Sequence, residues 1–166
     1  MKAIVCGFFL LLLVQGVHAQ DLDLRRLSGL APKILVVVED PPTSAVEGGL
    51  TKSKLQTEVE LRLRKAGFHV ATAEARGSVL DIQVTVIKLA ACVGYAFVVA
   101  GDFARPGAIT NPTSPDGYVL EPVTVWSRKV LGTDSPDGFA QHARRLAGDL
   151  SDLFLNDFLA ANPVRR

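Results

Sequence analysis

The sequence predicts an α+β fold, a two-layer sandwich in which two helices cover one face of a mixed sheet. Three observations carry that expectation. Residues 33 to 39 read KILVVVE, a continuous β-branched run of the kind found in strands buried on both faces. Two stretches, one after this run and one near the C-terminus, place apolar residues at helical spacing. Between them the apolar period drops to two, the spacing of a half-buried strand.

The elements follow in order. Residues 1–19 carry the three parts of a cleavable export signal. Lys2 supplies a positive start, Ala3 to Val14 is apolar, and Val17 and Ala19 stand at the −3 and −1 positions before Gln20. The apolar run is shorter than the ~20 residues a membrane-spanning helix needs, so cleavage rather than anchoring is expected. Removing residues 1–19 from the 166 leaves 147, enough for one domain with a conventional core. Residues 20–32 read as an N-terminal arm or linker, and residues 33–163 as a single domain.

After the first strand, Pro41 and Pro42 stop the chain, and residues 43–49 read as a flexible loop. Leu55, Val59, Leu63 and Ala66 then form one helical stripe. Either Thr51 or Ser53 serves as its N-cap, and Gly67 takes the C′ position. Residues 68–73 form a second, short strand. From Ser78, Leu80, Ile82, Val84 and Val86 alternate with Asp81, Gln83 and Thr85. A fourth strand runs over residues 93–103. Residues 102–117, rich in proline and glycine, read as a long loop. The last strand covers residues 119–130. Ser135 and Pro136 open the final helix as N-cap and first residue. Phe139, Ala143, Leu146, Ala147, Leu150, Leu153, Phe154 and Phe158 make its apolar stripe.

The order is strand, helix, four strands, helix. Its start favours a parallel pair, and its short later connections favour an antiparallel meander. Residues 61–68 (LRLRKAGF), 123–126 (VTVW), 131–133 (LGT) and 154–163 (FLNDFLAANP) complete a pattern that resembles small bacterial envelope domains. Examples are the amino-terminal domain of the translocation protein TolB and the lipopolysaccharide-assembly lipoprotein LptE, along with uncharacterised secreted proteins of similar length. The resemblance spans roughly residues 33–163 and implies a noncatalytic, envelope-associated domain. Unlike a lipoprotein, the chain places no lipobox cysteine at the start of its mature part.

Charge and motifs narrow the function classes. The mature part holds 17 basic and 17 acidic residues, because only Lys2 leaves with the signal. Such neutrality argues against gripping nucleic acid, which needs clustered positive charge. Cys92 is the lone mature thiol and is expected as a small buried hydrophobe. His69 and His142 form no metal motif with it, and no cofactor is implied. No GxSxG elbow or phosphate-binding glycine pattern occurs, so no catalytic residue is assigned. Asp149, Asp152 and Asn156 read as the solvent stripe of the last helix.

The expected function is therefore a periplasmic or secreted domain acting by contact with an envelope or periplasmic protein. One alternative is a small-molecule or lipid-binding domain with residues 102–117 as its lid. Another is a small hydrolase with an unrecognised site. Two helices cover one sheet face only, which leaves a second face for a partner. Trp126, Ile87 and Leu89 are the residues expected there, with the N-terminal arm or the proline-rich loop as competing covers.

Overall fold

A computed structural model describes residues 25–72, 77–89 and 94–163. Residues 1–19, expected as an export signal, and Cys92 lie outside the described residues. The elements are β1 (Lys33–Val38), α1 (Thr43–Glu47), α2 (Lys52–Lys65), β2 (His69–Ala71), β3 (Ser78–Leu89), β4 (Gly94–Thr110), β5 (Tyr118–Asp134) and α3 (Pro136–Ala161). The strands form one sheet in the order β2-β1-β3-β4-β5. β1 pairs in parallel with β2 and with β3, and β3-β4-β5 is an antiparallel meander. This is the expected α+β sandwich with a mixed sheet.

Local chemistry fixes the helix ends. The Thr51 hydroxyl caps α2 by accepting from the Lys54 N–H, which settles the choice against Ser53. Gly67 follows α2 with φ +88°, a left-handed conformation that side chains with a Cβ resist. Ser135 caps α3 through the Gly138 N–H, with Pro136 in the first turn.

Both long helices pack on the same face of the sheet. α2 buries Leu55, Val59 and Leu63. α3 buries Phe139, Ala143, Leu146, Ala147, Leu150, Phe154, Leu155 and Phe158. Leu153 departs from the expected stripe. It is 45% exposed, while its neighbour Phe154 is fully buried. The sheet contributes Ile34, Val36, Val38, Leu80, Ile82, Val84, Phe97, Val99 and Phe103 to the same core. Leu27, inside the segment read as an arm, also belongs to this core and is fully buried. Asn162 fastens it there, donating to the Leu27 carbonyl at 2.8 Å and accepting from the Gly29 N–H at 2.7 Å. The described part of the arm therefore docks on the helix side and does not cover the second face.

Two expectations about loops are corrected. Residues 43–47 form the short helix α1, whose Ala45 is fully buried. Of residues 102–117 only 111–117 form a loop, since β4 runs to Thr110 and β5 starts at Tyr118, both 17 residues long. β3 pairs with β4 no further than Ala104. Beyond that point β4 and β5 continue as a two-stranded ribbon in which Pro106 faces Pro122. Proline is tolerated there because a third ladder no longer requires its N–H.

Candidate interaction surface

The sheet face turned away from the helices is read from alternation and register. On β3 the outward set is Asp81, Gln83, Thr85, Ile87 and Leu89, opposite the buried Leu80, Ile82 and Val84. The pairings extend this set across the sheet in rows. Ile87 stands beside Ala96 and Thr133, and Thr85 beside Val98 and Leu131. Ile87 is 64% exposed, Leu89 37% and Leu131 72%. An apolar corner thus faces solvent where β3 ends. The row toward the middle of the face is Gln83, Ala100 and Lys129, followed by Asp81, Asp102 and Ser127.

Trp126 is not on this face. The register slips between Phe103 and Ala104: Phe103 pairs with Trp126, but Ala104 pairs with Thr124. Val125 is the extra residue of a β-bulge, and a bulge reverses which parity of the strand points outward. Trp126 therefore turns into the core at 1% exposure. Its ring packs 5.2 Å from that of Phe154, and its indole N–H donates to Asp157 Oδ2 at 2.9 Å. Of the three residues expected at a partner surface, the structure brings Ile87 and Leu89 together and removes Trp126. The sequence reading missed Leu131, whose parity only becomes clear once the bulge is placed. It also missed the ribbon residues Leu120 and Tyr118, 69% and 48% exposed.

The middle of the open face carries carboxylates. Asp81 is paired directly with Asp102, and Glu39 accepts from Gln83 at 2.6 Å. Burial, and then the neighbouring Glu39 and Asp102 carboxylates, push the Asp81 carboxyl above its ordinary range. The folded state thus holds the Asp81 proton more tightly than the unfolded chain does. That contribution is present at low pH and is lost as pH rises through the raised value. Asp81→Asn removes the charge while keeping the shape. It is expected to raise the melting temperature at neutral pH, with a gain that shrinks as pH falls through the titration range of Asp81. Thermal melts of both proteins at several pH values check this, and a gain that grows toward acid would refute it.

A second feature is a groove of about 700 Å³ between the N-terminal halves of α2 and α3. Lys54, Glu58, Arg62, His142, Arg144 and Arg145 line much of it. Its charges answer one another. Arg62 pairs with Glu58 at 3.1 Å and with Asp152, and Arg144 reaches Glu58 at 3.6 Å. Asp152, read as a plain solvent residue, thus ties α3 to α2. Pairs this exposed contribute under about 1 kcal/mol each.

His142 Nδ1 lies 3.0 Å from Asp134 Oδ2. The Ser135 N–H, with a smaller contribution from His142, holds the Asp134 carboxyl below its usual range. The arrangement differs from a hydrolytic triad, in which a hydroxyl donates to the imidazole. Here the Ser135 hydroxyl sits 3.3 Å from Asp134 Oδ1 and caps α3. His69 begins β2 away from this pair. Neither this groove nor a second one beside β1 is lined by any residue of 102–117. No group of three or more metal-capable side chains occurs among the described residues. No described helix is long and apolar enough to cross a membrane.

The geometry defines a two-layer α+β sandwich with one sheet face uncovered. No protein-family model and no curated protein matches the chain. Among solved structures it is similar to a minor lipoprotein from Acinetobacter baumannii, at 13% identity and TM-score 0.40, covering 78% of this chain and 93% of that one. It is also similar to a point variant of the PelC dodecamer from Paraburkholderia phytofirmans, at 18% identity and TM-score 0.42, covering 81% and 91%. Rare lipoprotein B from Shewanella oneidensis is a third, at 13% identity and TM-score 0.35, covering 77% and 94%. Likenesses of this strength transfer no function.

Proposed function

We propose that the chain is an exported, noncatalytic domain of the bacterial envelope that works by protein contact through the open face of its sheet. The observation that supports this most directly is the apolar corner of Ile87, Leu89 and Leu131 on a face that neither helix covers. Exposed apolar patches of this kind mark interaction sites. The N-terminal export pattern supports the compartment. The resemblance of residues 33–163 to small envelope domains supports the class.

Site-specific photocrosslinking tests the reading. A photoreactive phenylalanine analogue is placed at Ile87 in one variant and at Leu61 in another, Leu61 being an exposed residue of α2 (47%) on the covered side. After export, the Ile87 variant is expected to give discrete protein adducts and the Leu61 variant none. Equal labelling at both positions, or none at Ile87, would overturn the assignment of the face.

A further inference from the structure

The uncovered face does not stop where β3 stops. Past Ala104 the ribbon carries the same side forward in the rows Pro106–Pro122, Ala108–Leu120 and Thr110–Tyr118. None of these residues is charged. Along the whole outward side of β4 and β5 the only ionisable groups before Tyr118 are Asp102 and Lys129, of opposite sign. A two-stranded ribbon with bare faces is marginally stable by itself in water. The ribbon's charged residues, Arg105 and Glu121, stand on its other side, so the uncharged side calls for a covering surface.

We infer that this face is covered by the same face of a second copy of the chain. The inference rests on the contact reading above and names the first occupant of that surface. The area of the face fits a second copy. Two strands of 17 residues and one of 12 present roughly 750 Å² in plan, at ~3.4 Å per residue and ~4.8 Å per strand. A standard interface buries about 800 Å² per partner.

The face is also self-complementary, as a two-fold contact requires. The face is apolar at the Ile87–Leu131 corner, charged in the middle and apolar again at Leu120 and Tyr118. A two-fold axis across the strands sets each apolar end on the other, and brings Lys129 of one copy beside the carboxylates of its partner. Other geometries are obstructed. Pairing at the sheet edges is obstructed, because β2 is only three residues long and β5 carries a bulge and Pro122. Insertion into a bilayer would strip water from the unpaired backbone groups along both edges of the ribbon.

Sedimentation velocity of the exported chain over a range of concentrations tests this, with Leu120→Lys, Leu131→Lys and, as control, Leu153→Lys on the far side of the molecule. The wild type and the control are expected to sediment as dimers. Each face variant is expected to weaken the dimer by about a thousandfold, since a substitution at a two-fold interface acts twice. Both face variants should keep the far-ultraviolet spectrum of the wild type. A wild type that stays monomeric throughout would overturn the inference, as would a dimer that both face variants leave intact. A monomer that floats with phosphatidylethanolamine–phosphatidylglycerol vesicles would also overturn it, giving the face to the membrane instead. If the wild type is monomeric while the Ile87 crosslink captures a different protein, self-association fails and the contact reading stands.

Discussion

Phe154→Ala is expected to remove about 3–5 kcal/mol of stability, the usual cost of emptying a buried aromatic site. Small domains have only about 5–15 kcal/mol in total. Phe154 is fully buried in α3, where the two layers meet. Its ring lies 4.9 Å from Phe103, 5.2 Å from Trp126, 5.9 Å from Phe158 and 6.0 Å from Phe68. These partners come from β4, β5, α3 itself and the residue before β2, so no single element can close the void. Leu153→Ala, one position earlier, is expected to cost under about 0.5 kcal/mol, because half that side chain already meets water. Urea unfolding of the two variants measures the difference. Equal losses would mean that α3 is rotated about its axis.

Phe154 and Leu153 also show how far the sequence can be read. Periodicity correctly assigned α3 and most of its buried face. Adjacent residues on a helix differ by about 100°, so a stripe this broad blurs at its edges, and Leu153 fell on the wrong side of one. The meander and its parallel start were legible because β-branched runs and short connections leave few alternatives.

The ribbon was not legible. Pro106, Gly107, Pro112, Pro115 and Gly117 give residues 102–117 the composition of a loop. Only the register shows that the prolines at 106 and 122 face each other where no third strand needs their N–H groups. Gly132 is another such case. A Cβ there would lie 2.5 Å from the Phe97 ring, a contact between β5 and β4 that nothing local in the sequence announces. The open face itself was foreseen from the count of helices. Its membership depended on one bulge, which sequence alternation alone could not locate.

That bulge makes Trp126 the second severe site. Trp126→Ala is expected to cost about 3–5 kcal/mol, a core loss, where an open-face tryptophan would have cost little. The indole fills space against Phe154, and its N–H shares Asp157 Oδ2 with Arg128, which stands 3.4 Å from the same oxygen. Trp126→Phe separates the two contributions. It keeps an aromatic ring in the core, leaves the Arg128–Asp157 pair in place and removes only the N–H donor. The expected loss is then about 1–3 kcal/mol, the range for a hydrogen bond to a charged acceptor together with partial loss of packing. Asp157→Asn retains an acceptor for the indole and should cost less than Trp126→Phe. Trp126 is the only tryptophan in the chain, so in the wild type and in Asp157→Asn its fluorescence reports its own burial. A blue-shifted emission that moves red in one step on unfolding is expected, coincident with the loss of helix signal. Emission already red in the native protein would place Trp126 in water. Trp126→Ala would then be harmless, and β5 would carry no bulge at Val125.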